Sequence, residues 1–306
     1  MTGWLWAIFT VLAAGGQTLR NAMQRELTLT LGTVGATHVR FLFGLPFALI
    51  FLAVVLLATG ERFPPLNPRM LLWTFAGAAT QIAATAMLLA AMRDKSFVLI
   101  TALNKIEPVH VAIFGLVFLG DQISLPLGLA IVIATLGVVI MSWPKRGAAE
   151  NLGPRPIALG VLAGAMFGAS AVGYRGGMLA LGAQSFVVNA TSTLVVGLVM
   201  QVAALSLYLV LFDRATLAAI FRAWRPSLLA GFMGAFASQN WFLAFALESA
   251  AKVRTLALVE ILFAGFISRS LFKQSFASRQ GAGILFIIAG VVLLLWPNLL
   301  SEFLAR

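Results

Sequence analysis

Ten apolar stretches, each close to the length of a helix that crosses a bilayer, constrain this chain more than any other feature. They fall near Trp4–Ala22, Gly35–Leu57, Met70–Met92, Val98–Leu119, Leu125–Ser142, Ile157–Leu179, Phe186–Phe212, Leu228–Leu247, Leu256–Phe272 and Gly281–Trp296. About 20 helical residues cross a ~30 Å hydrocarbon core. The connections between them are short and carry breakers such as Pro64–Pro65, Pro68, Gly153–Pro154 and Pro226. Composition agrees: 61% of residues are hydrophobic, 10% are charged and the mean hydropathy is +0.99. No soluble fold of 306 residues has interior enough for that much apolar surface. The expected fold is an all-α integral membrane protein, a multi-pass bundle of ten transmembrane helices whose partner is the lipid bilayer.

The long unit Lys95 to Pro144 is written twice. Laid without gaps on Glu248 to Pro297, it places Glu107 on Glu260, Gly128 on Gly281, Gly137 on Gly290, Trp143 on Trp296 and Pro144 on Pro297. A second register matches LLWTFAGA at 71–78 with LLAGFMGA at 228–235. The expected organisation is a first five-helix repeat over 1–146, a linker over 147–155 and a second repeat over 156–306. An odd number of spans per repeat makes the second copy enter the membrane from the opposite side. The halves are then inverted about an axis in the membrane plane, an arrangement that recurs in secondary transporters.

Several function classes are disfavoured. There is no cysteine and there are two histidines, His38 and His110, so a protein-only metal site is not expected. No nucleophile–base pair or phosphate-binding fingerprint is present, so neither catalytic residues nor a cofactor is expected, and the chain is not read as an enzyme. An ion channel would need a polar ring or filter backbone rather than two lone acids in inverted halves. The net charge of +11 comes from scattered basic residues, which suit anionic headgroups and not nucleic acid. Met1–Gly3 leads straight into Trp4, so no cleaved signal peptide is expected.

Polar groups inside the spans are where chemistry is expected, because ionisable side chains at depth cost at least about 2.5–3.5 kcal/mol each. Asn104, Glu107 and His110 share one helical arc, while Lys105 projects from roughly the other side. Pro108 removes a bond to the Asn104 carbonyl and predicts a kink. Glu107 reads either as a substrate site or as one half of an ion pair. Glu260 stands among apolar residues and reads either as a proton carrier or as a neutral acid holding helices together. Gln17, Gln81, Gln239, Asn240 and Trp241 read as cavity-lining groups or as interhelical hydrogen-bond partners. Glycines at spacing four, such as Gly164 and Gly168, read as close-packing positions. Trp4, Trp6, Trp143 and Trp296 suit interfacial anchoring. His38, Arg40, Tyr174 and Arg175 suit snorkelling to headgroups, with Tyr174–Arg175 a candidate gate.

Taken together, the five-plus-five pattern, the pair Arg40–Phe41 and the run ALNKIEPVHVAIFGLVFLGDQIS resemble the drug/metabolite transporter superfamily, EamA type. Leu119–Gly120–Asp121 stands where that family usually has Leu-Gly-Glu. The second copy departs more, with Ile261 at the proline position and Phe272–Lys273–Gln274 at the span's end. Asn104 just before a proline kink looks most like the YddG-type amino-acid exporters. The resemblance implies a bacterial inner-membrane carrier that exports amino acids or similar small metabolites through a central cavity by alternating access. Protons are a candidate coupling ion. It also implies cytoplasmic termini, whereas basic residues number 13 in odd connections against 6 in even connections and termini, which argues the opposite orientation.

Overall fold

A computed structural model describes residues 2–94, 103–142, 154–182, 185–261 and 278–304, and among them the regular structure is entirely helical. In chain order the helices are α1 (Leu5–Leu42), α2 (Leu45–Thr59), α3 (Pro68–Asp94), α4 (Glu107–Phe114), α5 (Leu125–Ser142), α6 (Pro154–Leu181), α7 (Phe186–Phe212), α8 (Arg214–Arg222), α9 (Trp224–Leu247), α10 (Ala250–Leu256) and α11 (Ser278–Leu304). Among the described residues, five helical segments are long and apolar enough to cross a membrane: Glu26–Thr59, Pro68–Ala91, Ile157–Leu181, Phe186–Phe212 and Trp224–Leu247. Three shorter apolar helices, Glu107–Leu119, Leu125–Met141 and Gly281–Trp296, accompany them. The molecule is a multi-pass membrane protein. Its outer surface is apolar, with Leu29, Leu57, Leu72, Leu125 and Phe212 among the most exposed side chains. That is the inverse of a soluble surface and suits hydrocarbon.

Local sequence explains where the helices bend and stop. The first helical arm runs beyond the expected Ala22 to Gly32, whose φ of 68° and ψ of −178° reverse the chain inside α1. A side chain at that φ would be strained, so glycine suits the corner. Asn67 holds the start of α3: its Oδ1 accepts from the Met70 amide at 2.8 Å, and its Nδ2 donates to the Ala180 carbonyl of α6 at 2.9 Å. Ser185 caps α7 and Asp213 caps α8. The expected break before Pro108 is present, with a turn at Lys105–Ile106 ahead of α4. The expected linker lies largely in 143–153, outside the described residues, as do Trp143, Pro144 and all of the ninth stretch beyond Ile261.

Three helix pairs dominate the packing: α3 with α6, α1 with α9, and α5 with α11. Each is a close backbone approach built on small residues. A Cβ added to Gly173 of α6 would lie 2.7 Å from the Gly77 amide of α3. In α5, a Cβ on Gly137 would lie 2.7 Å from the Gly283 carbonyl oxygen and 2.8 Å from the Ile287 nitrogen. In α11, a Cβ on Gly290 would lie 2.9 Å from the Ala130 carbonyl oxygen and 2.8 Å from the Ala134 nitrogen. In the long-unit register, Gly137, Ala130 and Ala134 correspond to Gly290, Gly283 and Ile287. The crossing is therefore reciprocal: what Gly137 meets on α11, Gly290 meets on α5.

Packing also corrects four expectations of snorkelling. His38 is fully buried and its Nε2 lies 3.0 Å from the Ser206 hydroxyl of α7. Arg40 is buried as well. Tyr174 is buried beside Phe242 and donates to Gln81 Oε1 at 3.2 Å. Arg175 donates to the carbonyl oxygens of Phe245 and Glu248, which end α9. His38, Tyr174 and Arg175 thus take partners inside the bundle, and Arg40 is carried inward with them, because the kinked α1 and close-packed α6 turn these side chains away from the headgroups. Trp6, expected as an interfacial anchor, is buried too, whereas Trp296 is half exposed.

Candidate functional site

A buried polar cavity lies where α1, α3, α6, α10 and the segment before α4 meet. It is lined by Gln17, Arg20, Asn21, Gln24, Arg40, Thr85, Leu88, Leu89, Asn104, Lys105, Glu107, Phe167, Arg254 and Glu260. About 70 Å³ of it is open to the centres of water-sized molecules, against the roughly 10–15 Å³ that one water needs. Residues from both expected repeats contribute.

Two carboxylates anchor the site, and each is paired with a cation from the other half of the chain. Lys105 Nζ, in the turn before α4, is in direct contact with Glu260 Oε1. Arg254 Nε, on α10, lies 3.0 Å from Glu107 Oε1, an ion-pair distance without hydrogen-bond alignment. All four side chains are at most a tenth exposed. Removing charges from water is costly, and pairing is what makes it tolerable. The sequence places Lys105 and Glu107 on different sides of their helix, and the fold uses both sides.

The two pairs are joined into one network. The Arg254 guanidinium sits 4.3 Å from the centroid of the Trp241 ring. Trp241 Nε1 donates to Gln17 Oε1 at 3.2 Å, and Gln17 Nε2 donates to Glu260 Oε2 at 3.2 Å. A continuous path thus runs from Glu107 through Arg254, Trp241, Gln17 and Glu260 to Lys105. It begins and ends on one short segment.

Of the residues expected to line a cavity, Gln17, Asn104, Glu107 and Glu260 do so. Trp241 stands behind them and orients Gln17. Gln81, Gln239 and Asn240 do not line this cavity. Gln81 Oε1 accepts from Tyr174 and from Gln201 Nε2 at 2.8 Å. Gln239 Nε2 donates to Thr191 Oγ1 at 2.7 Å, and Asn240 Nδ2 to the Phe236 carbonyl at 2.9 Å. They act as hydrogen-bond partners, two between helices and Asn240 within α9. The Asn104 carbonyl that Pro108 frees is packed, since a Cβ on Gly164 would lie 2.9 Å from it. His110 lies on the same side, with Gly168 of α6 against its Cβ.

Sequence reading missed the cations. By sequence, Arg20 falls in an odd connection, Arg254 in an even one and Arg40 near the headgroups, yet all three are buried and line the cavity. Their burial removes one residue from each side of the basic-residue count, so the orientation conflict stands. Among the described residues no group of acids and histidines could hold a metal ion.

Residues 1–143 match the model of the EamA-like transporter family, whose members are transporters of small molecules rather than enzymes. No curated protein sequence matches the chain. A protein of known crystal structure is similar over 99% of this chain and 98% of its own, with a TM-score of 0.69 at 12% identity. At that identity the likeness shows a shared fold alone.

Proposed function

We propose that the chain is a carrier that moves small metabolites across a membrane by alternating access. The observation that carries this reading is the cross-pairing of the two glutamates. Glu107 and Glu260 occupy equivalent positions of the repeat, line one cavity and are each held by a cation of the opposite half. Such pairs must break and re-form if the halves rock against each other about a central site. The reciprocal α5–α11 crossing supports ten spans in two inverted five-helix repeats (1–146 and 156–306), because a two-fold relation makes equivalent residues exchange contacts. The pairing of α1 with α9 supports it again, since exchanging the halves turns that pair into α6 with α3.

A proton on either glutamate would release its cation and loosen one cross-half contact, which makes protons the natural coupling ion. Export of amino acids or similar metabolites, from a bacterial inner membrane with cytoplasmic termini, follows from the family resemblance. The test is counterflow in liposomes holding the purified full-length chain. Unlabelled amino acids are preloaded, and entry of labelled threonine, methionine and phenylalanine is followed with and without a pH gradient. Saturable exchange that Glu107→Gln or Glu260→Gln slows is the expected result. Exchange untouched by both substitutions would remove the glutamates from the mechanism.

A further inference from the structure

We infer that the cavity is built to bind an organic anion, held by Arg20 and Arg40. This rests on the carrier reading above and narrows its substrate class from metabolites in general to those with a net negative charge. Charge is the first argument. The lining carries four cations, Arg20, Arg40, Lys105 and Arg254, against two anions, Glu107 and Glu260. Both anions are consumed by Lys105 and Arg254. Arg20 and Arg40 are left without a carboxylate among the described residues.

Their surroundings do not compensate them. Arg20 is 4% exposed; among the described residues its Nη2 donates to Asn21 Oδ1 at 2.8 Å, and its Nε and Nη1 have no partner. Arg40 is 6% exposed; among the described residues its polar contact is Thr85 Oγ1, at 3.5 Å, and its guanidinium carbon lies 5.2 Å from the Phe41 ring centroid, neither of which carries a counter-charge. The stems of both run over Gly234 of α9, where an added Cβ would lie 3.5 Å from Arg40 Cγ and 3.6 Å from Arg20 Cδ. Two arginine stems thus converge on one glycine and both side chains line the same cavity, a medium where like charges repel strongly and unpaired donors cost free energy. Arg175, by contrast, has protein counter-groups: its Nη1 donates to two carbonyl oxygens and its Nη2 lies 3.8 Å from Asp121 Oδ1, although its Nε is unpartnered. Arg20 and Arg40 are satisfied by what enters the cavity.

The chemistry of that visitor follows from the fork. Guanidinium presents paired N–H groups that match the oxygens of a carboxylate or a phosphate. Two of them favour a dianion over a zwitterion, whose ammonium would meet the same cationic excess. Asn104 Oδ1, buried without a partner, supplies an acceptor for a hydroxyl or amide on the rest of the molecule.

The experiment uses full-length protein in liposomes and, separately, in detergent. Exchange of labelled succinate, glycerol 3-phosphate and threonine is measured in counterflow, and the Tm is recorded with each solute. The expected result is saturable exchange of succinate, glycerol 3-phosphate or both, with threonine at least about 10-fold slower. Which of the two acids exchanges separates carboxylate from phosphate. Arg20→Gln and Arg40→Gln each lower anion exchange about 10- to 100-fold, and Arg20→Lys recovers part of it. The Tm of each variant without solute separates loss of the site from loss of the fold. Exchange of threonine with neither anion would leave the carrier standing and overturn the anion site. An anion that raises the Tm of the wild type, but not of Arg20→Gln, with no exchange of any solute, would keep the site and overturn the carrier. Neither exchange nor stabilisation by either anion overturns the proposal, as does wild-type anion exchange in Arg20→Gln.

Discussion

Glu260 is tied into the fold from two sides. It is bonded by Lys105 and by Gln17, so neutralising it leaves a buried ammonium without its counter-charge. Breaking one side of a buried ion pair costs about 3–5 kcal/mol, whereas replacing both partners with apolar residues is often close to neutral. Glu260→Gln should therefore lower the Tm in detergent clearly. Lys105→Met/Glu260→Leu should recover most of that loss while remaining inactive in transport. Equal Tm losses in the single and double variants would show that the pair does not act as a unit. Trp241 offers a finer test at the same scale. Trp241→Phe keeps a ring under Arg254 but loses the donor to Gln17, so it should slow transport with a Tm cost of no more than about 1 kcal/mol equivalent. A wild-type rate in that variant would take Trp241 out of the network.

At the scale of helices, the α5–α11 crossing makes the sharpest demand. A methyl on Gly137 or on Gly283 would meet backbone of the facing helix at under 3 Å, and backbone cannot swing aside. Gly137→Ala and Gly283→Ala should each destabilise the protein by about 1–3 kcal/mol, read as a lower Tm. Gly281→Ala, whose Cβ would meet nothing within 4 Å, should not. A harmless Gly137→Ala would contradict the crossing. Outside the membrane, Asp213 caps α8 with two hydrogen bonds from Thr216, through its hydroxyl at 2.6 Å and its amide at 3.0 Å. These hold its carboxyl below the usual range. The sign follows: a depressed folded value contributes stability above the unfolded value and loses it as pH falls through the folded one. Asp213→Asn should lower the Tm on the neutral side of the Tm–pH curve and leave it nearly unchanged in acid, where the wild-type carboxyl is protonated, so the acid slope flattens. An unchanged acid slope would mean that the cap does not titrate with folding.

For the molecule as a whole, the sequence speaks plainly about its apolar helices, and less about which polar groups face one another. Glu107 and Glu260 are legible because each interrupts an apolar run and one register superposes them. The kink at Pro108 is legible because proline lacks the N–H. Arg20, Arg40 and Arg254 are not, since charge near the edge of an apolar stretch reads as the stretch ending. Only the corner at Gly32 and the close approach of α9 at Gly234 reveal that α1 carries its arginines inward. Gln81, Gln239 and Asn240 look like cavity groups from polarity alone, but nearby Thr191, Gln201 and the Phe236 carbonyl satisfy them.

The central claim is that the cavity between the halves opens to each side of the membrane in turn. The chain has no cysteine, so Asn104→Cys places a single thiol in the cavity without further engineering. It would be treated with a membrane-impermeant thiol reagent in right-side-out and in inside-out vesicles that hold a potassium gradient. The account predicts labelling from either face while the gradient survives, because a carrier exposes its site to both sides but never at once. Labelling from one face only, or a gradient that collapses, would contradict it.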